Sequence, residues 1–195
     1  MKRFISLYKP SLTFESKLGP KIGYGAEGDV YHYNDNKVIK IFYISGKWYS
    51  YKRVLKFLIE NPQKHFVKVY DFGMDNVNCY YYITELLSPL SDEERSFIDK
   101  YCVDENNNIV KNIPTNSNIN PKLIKCLKEL SAKNLIFSVN DVHGDNIMID
   151  KNGTYKMADL GYVRFKRSFI LSNYKMEKRT RNSQIKIKWP EVKKL

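Results

Sequence analysis

Three polar residues in and after the run Asp141-Val-His-Gly-Asp145-Asn146-Ile-Met-Ile-Asp150 stand at spacings that suit chemistry on a phosphate ester. A hydroxyl nucleophile needs an acceptor-only carboxylate to orient it and take its proton, and Mg²⁺ needs hard oxygen ligands that hold it against phosphate oxygens. Asp141 suits the first role. Asn146, five residues on, and Asp159, thirteen further along in Asp159-Leu-Gly161, suit the second. Taken singly, each is also a residue type that turns favour. Their order and spacing together point to magnesium-dependent phosphoryl transfer.

Phosphates also need a cradle, and Gly23-Tyr-Gly25-Ala-Glu-Gly28-Asp-Val30 offers one. Glycines let backbone N–H groups approach phosphates where a Cβ would obstruct them. A dinucleotide fingerprint would pass straight into a helix. Here Val30-Tyr-His-Tyr reads as a strand, Asn34-Asp-Asn36 as a turn and Lys37-Val-Ile-Lys40-Ile-Phe-Tyr43 as a second strand, which makes a glycine-rich β-hairpin.

The positioning elements follow in order. From Trp48 to Glu60, Tyr51, Val54, Leu55 and Leu58 fall at helical spacing, and Asn61-Pro62 stops the helix. His65 to Gly73 and Tyr80 to Leu87 read as two more strands. Ser91-Asp-Glu-Glu94 is a capping box that opens a helix to about Cys102. Residues 104–120 are Asn-rich and read as a loop or flexible insert. Asn120-Pro121 then opens a helix to about Ile136 with Leu123, Ile124, Leu127 and Leu130 on one stripe.

These motifs, from about Lys21 to Gly161, resemble the protein kinase-like superfamily. The glycine loop satisfies G-x-G-x-x-G-x-V, Val38-Ile-Lys40 is close to V-A-I-K, and Asp159-Leu-Gly161 is similar to D-F-G with Leu160 for Phe. The resemblance implies an α+β, bilobal kinase-like fold: a five-stranded antiparallel sheet with one helix, then a short, mostly helical second lobe. It implies lobes at 1–87 and 88–163, followed by a tail at 164–195. ATP would be bound by Gly23, Gly25, Gly28, Val30 and Lys40, with the backbones of Glu85 and Leu87 at the adenine and Thr84 as gatekeeper. Mg²⁺ would be held by Asn146 and Asp159. Asp141 would be the catalytic base, with Lys40 and His143 as catalytic partners.

Departures narrow the resemblance. Val139-Asn140 replaces the usual His-Arg before the catalytic Asp, so control by activation-loop phosphorylation is not expected. Asp141-x-His143-x-x-Asn146 looks like aminoglycoside-type phosphotransferases and atypical or phage kinases. Reading His143-Gly-Asp145 as their H-G-D would make Asp145 the base, but Asp150 rather than Asn then stands five residues on. Tyr51 occupies the place where the helix glutamate that pairs with the strand lysine is expected. Three alternatives stay open for Lys40: Glu60 through an altered helix, another acid, or orientation by the phosphates alone. Only 34 residues follow Gly161, which suggests a minimal catalytic core, and Trp189-Pro-Glu191 faintly resembles A-P-E.

Composition fits a globular cytoplasmic enzyme. Cys79, Cys102 and Cys126 are odd in number and widely spaced, so neither a disulfide framework nor a zinc site is indicated. No run of 18 apolar residues or export signal appears. Abundant Lys, Asn and Ile suit an A/T-rich coding genome, viral, phage or bacterial. The formal charge of +12 concentrates in the tail, where eleven Lys or Arg from Arg164 onward face two acids, Glu177 and Glu191. Such a tail suits nucleic acid or an acidic partner, or is a solvated extension. Three functional readings result: a compact Ser/Thr-type protein kinase acting on a protein substrate, a small-molecule kinase with the same machinery, and a pseudokinase that binds nucleotide or partners without transfer.

Overall fold

The computed structural model describes residues 18–25, 27–42, 48–74, 79–116, 118–131, 137–161 and 163–165. The sequence expectations for the tail beyond Phe165, for Trp189-Pro-Glu191 and for the helix end near Ile136 lie outside them.

Five strands, β1 (Lys21–Tyr24), β2 (Gly28–Asn34), β3 (Lys37–Phe42), β4 (Val69–Met74) and β5 (Tyr80–Glu85), form one antiparallel sheet in the order β1-β2-β3-β5-β4. The two-residue period of β3 divides its side chains between the faces. Ile39 and Ile41 join Ile83 in a small outer cluster beneath Tyr31 and Tyr33. Phe42 turns the other way, into the main core, and Lys40 is buried beside it.

That face is covered by α1 (Trp48–Glu60), whose apolar stripe of Tyr51, Val54, Leu55, Phe57 and Leu58 is buried while Lys52, Arg53 and Lys56 face water. The ring of Phe57 meets Phe137 and Phe165 at 5.4 and 5.3 Å, edge to face. The same apolar core therefore runs from α1 into the second half of the chain.

There, the short β6 (Ser88–Pro89) precedes α2 (Asp92–Phe97). The Ser91 hydroxyl accepts the Glu94 N–H at 3.2 Å, as the capping box predicts. The helix reaches Cys102 but is wound as a π-helix from Ile98. α3 (Pro121–Ser131) buries Leu123, Ile124, Cys126, Leu127 and Leu130, and the Asn120 side chain accepts the Lys122 N–H. β7 (Phe137–Val139) pairs with β10 (Val163–Phe165), and β8 (Ile147–Ile149) lies between β6 and β9 (Tyr155–Met157).

Gly28 is where the glycine loop enters the sheet. A Cβ there would lie 2.1 Å from the Ile41 carbonyl oxygen and 2.9 Å from its carbon, both backbone atoms. Gly28→Ala is therefore expected to lower stability by about 2 kcal/mol or more, as overpacking does. Gly25→Ala should leave it within about 0.5 kcal/mol, because the nearest atom to its Cβ would be 3.9 Å away. Urea unfolding of both variants checks the contrast, and equal midpoints would refute it.

Candidate active site

β3 delivers Lys40 and the turn after β9 delivers Asp159, two residues 119 apart that meet with Nζ to Oδ2 at 2.8 Å. The other carboxylate oxygen of Asp159 accepts the Gly161 N–H at 2.8 Å. Burial pushes the Asp159 pKa up, but the adjacent Lys40 ammonium, the Gly161 N–H and the nearby His143 outweigh it, and the group stays below the ordinary carboxylate range. Burial likewise works against charge on Lys40, yet the oxygens of Tyr82, Asp159 and Glu27 hold its pKa above that of an ordinary lysine. The pair is ionised at neutral pH.

The predicted base and metal ligand are joined as well. Asn146, in a 3-10 turn over Gly144–Asn146, donates its side-chain amide to the Asp141 carbonyl at 2.9 Å. Its own carbonyl accepts the Ala158 N–H at 2.8 Å, which ties it to the residue before Asp159. Asp141 has a left-handed backbone, φ 57°. Asp145 lies elsewhere: exposed, its carboxylate 3.2 Å from Arg95. The His143 ring stands 4.0 Å from Asp145.

Lys40's acidic partners are Asp159 and, through its charge, Glu27 of the glycine loop. Glu60 pairs instead with Lys56 at 3.9 Å, one helical turn back on the exposed face. The Tyr51 hydroxyl, at the expected glutamate position of α1, donates to the Glu27 carboxylate. These groups converge on Gly161: a Cβ there would meet the Tyr51 hydroxyl at 2.3 Å, Glu27 Oε2 at 3.0 Å and Asp159 Oδ1 at 3.1 Å. The sequence pattern names neither Glu27 nor this convergence. The only signal was the presence of an acid inside a glycine loop.

Gly23 lies in β1, and Gly28 and Val30 in β2, with Gly25 in the bend between. An open cleft of about 820 Å³ separates Lys21–Tyr24 from Pro89, Arg95 and Met148, a volume suited to a small ligand. Thr84 is buried near the end of β5, and Leu87, two residues beyond it, is half-buried. Glu85 ties three segments together. Its N–H donates to the Lys68 carbonyl at 3.0 Å, and its carboxylate receives the Lys68 N–H at 2.7 Å and Lys156 at 2.6 Å.

Lys156 also meets Asp150 at 3.1 Å, and Asp150 accepts the N–H groups of Asn152 and Thr154. Burial raises the Asp150 pKa, but the Thr154 N–H, Lys156 and the Asn152 N–H bring it below the ordinary value. A depressed carboxyl pKa stabilises above its unfolded value, near 4, and the contribution is lost as pH falls toward the folded value. Asp150→Ala should therefore cost about 2 kcal/mol at pH 7 and less at pH 3, read from urea midpoints. A gap that widens at pH 3 would refute the assignment.

Among the described residues no three His, Cys, Asp or Glu side chains cluster as a metal cage. Mg²⁺ does not need one, since it takes one or two protein oxygens and completes its shell with water and phosphate. Ionised Asp159 and the Asn146 amide oxygen, whose nitrogen is already engaged, fit that requirement. No helix among the described residues is long and apolar enough to cross a membrane.

No protein-family model matches the sequence, and no curated protein does. By fold, 784 chains of solved structures match. One is the CAK complex of Chaetomium thermophilum bound to ATP-gamma-S, at TM-score 0.52 and 19% identity, over 78% of this chain and 49% of that one. Another is WbdD crystallised with a kinase inhibitor, at TM-score 0.46 and 16% identity, over 75% of this chain and 33% of that one. The chain thus spans half or less of the length of these neighbours. The five-stranded antiparallel sheet, the helix α1 behind it and the likeness to the CAK chain give this protein a protein kinase-like fold.

Proposed function

We propose that the chain is an ATP- and Mg²⁺-dependent phosphotransferase whose acceptor is a protein serine or threonine hydroxyl. The observation that carries this reading is the 2.8 Å Lys40–Asp159 pair beside the Asp141–Asn146 loop. A fold neighbour bound to ATP-gamma-S supports ATP as the donor.

In this reading the glycine loop covers the triphosphate with backbone N–H groups, and Lys40 neutralises its α- and β-phosphates. Asp159 and Asn146 would hold Mg²⁺, which would draw negative charge from the phosphate oxygens. Asp141 would orient the acceptor hydroxyl toward the γ-phosphate and take its proton. His143 stands near Asp159 and favours its ionised form.

The test is transfer of labelled γ-phosphate, with Mg²⁺, to the chain itself and to a generic basic or acidic protein. Asp141→Ala should reduce transfer by about 10² to 10⁴ with nucleotide binding kept, and Asp159→Ala should abolish it. ATP binding and consumption with no labelled protein would shift the acceptor to a small hydroxylated molecule. Nucleotide binding without consumption would make the chain a pseudokinase and overturn the proposal.

A further inference from the structure

We infer that Asn107 is a positioning residue for Asp141: its side-chain amide fixes one carboxylate oxygen, which leaves the other for the acceptor hydroxyl. The inference rests on the phosphotransferase reading and adds to it a residue from the Asn-rich insert, far from every motif.

Within the insert, residues 104–108 form a hydrogen-bonded turn. The Asp104 carboxylate accepts the N–H groups of Asn106 and Asn108, both at 2.9 Å, and the Asn108 amide at 3.2 Å. Its backbone closes the same turn, with the Asp104 N–H on the Asn108 carbonyl at 2.9 Å and the Asn107 N–H on the Asp104 carbonyl at 3.0 Å. A bridge between Val103 and Ile109 anchors the base. With these groups satisfied inside the turn, Asn107 at its tip faces outward in a left-handed conformation, φ 57°.

Two bonds then join the tip to the catalytic loop. The Asn107 side chain donates to Asp141 Oδ1 at 3.2 Å, and its carbonyl accepts the Val142 N–H at 2.8 Å. Asp141 is itself left-handed, a conformation that costs a non-glycine residue about 1 kcal/mol or more unless its surroundings hold it. It is held on three sides: by Asn146 on its carbonyl, by Asn107 on its carboxylate, and by Asn107 again through the following N–H. Oδ2 accepts no hydrogen bond from any described residue. In the proposed step Oδ2 would take the proton of the acceptor hydroxyl as the hydroxyl oxygen bonds to the γ-phosphorus, and the bond from the γ-phosphorus to the β–γ bridging oxygen would break to release ADP.

Asn, Asp and Gly all tolerate a left-handed backbone, so two substitutions isolate the amide. In the full chain, Asn107→Gly keeps the turn and the carbonyl that holds Val142 but loses the donor. It is expected to lower kcat about tenfold, with KM for ATP and the urea midpoint unchanged. Asn107→Asp keeps the shape and sets a second carboxylate against Asp141, so kcat should fall further. Both variants matching wild type in kcat, or a fall accompanied by parallel changes in KM and urea midpoint, would overturn the inference while active wild type and inactive Asp141→Ala leave the phosphotransferase reading standing. Wild type with no transfer would overturn that reading, and the inference with it.

Discussion

Asp159→Ala is expected to abolish phosphoryl transfer and also to destabilise the chain by about 3 kcal/mol, whereas Lys40→Met loses transfer with about 1 kcal/mol of stability. The asymmetry comes from what each substitution leaves behind. Removing Asp159 strands an ammonium whose side chain is only 11% exposed, with the Glu27 charge as partial compensation. Removing Lys40 leaves a carboxylate that is 32% exposed and keeps the Gly161 N–H, while the methionine fills the space beside Phe42. Breaking a buried pair is costly mainly through the uncompensated charge, so the better-buried partner decides the size of the loss. The sign with pH follows from the depressed pKa of Asp159: its contribution is present above the ordinary carboxyl value near 4 and disappears as pH falls below it. The gap between wild type and Asp159→Ala should accordingly narrow between pH 7 and pH 3. Urea unfolding and transfer assays on both variants check this, and equal destabilisation by the two would contradict it.

What the sequence made legible was whatever is local. The glycine hairpin, the strand lysine, the helix stripe at Tyr51, Val54, Leu55 and Leu58, and the capping box at Ser91 each depend on residues a few positions apart, where propensity and period decide the outcome. The five-residue step from Asp141 to Asn146 was of the same kind, and the structure joins the two by a direct hydrogen bond. Long-range choices were not legible. Tyr51 could be seen to stand at the expected glutamate position, but that its hydroxyl would meet Glu27 depends on how α1 lies under the sheet. Asn107 gave no signal because Asn-rich segments usually close turns on themselves. This one does so through Asp104 and still presents a donor to Asp141. Gly144 reads as an ordinary loop glycine, yet a Cβ there would lie 2.7 Å from the Arg95 Cα, so it is the contact that lets α2 approach the loop. Such approaches are set by tertiary packing, which no window of neighbouring residues contains.

The Tyr51 position separates packing from connection, and two variants give the second large effect. Tyr51 is fully buried, with its ring 4.8 Å from Phe42 and 6.1 Å from Tyr82 by centroid, so Tyr51→Ala opens a cavity between sheet and helix. A loss of about 4 kcal/mol is expected, a large share of the roughly 5–15 kcal/mol that holds a domain together. Tyr51→Phe keeps the rings and removes one oxygen. Burial above all, with Tyr82, Asp159 and Glu27 nearby, pushes the Tyr51 pKa far up, so the hydroxyl stays protonated and donates to Glu27. Without it the glycine loop loses the Glu27 tie to Tyr51 of α1, while the aromatic contacts remain. Tyr51→Phe should therefore fold within about 1 kcal/mol of wild type and raise KM for ATP several-fold, measured by urea unfolding and by ATP titration of transfer. If KM does not move, the link between loop and helix has no part in holding nucleotide, and Lys40 is oriented by Asp159 and the phosphates alone.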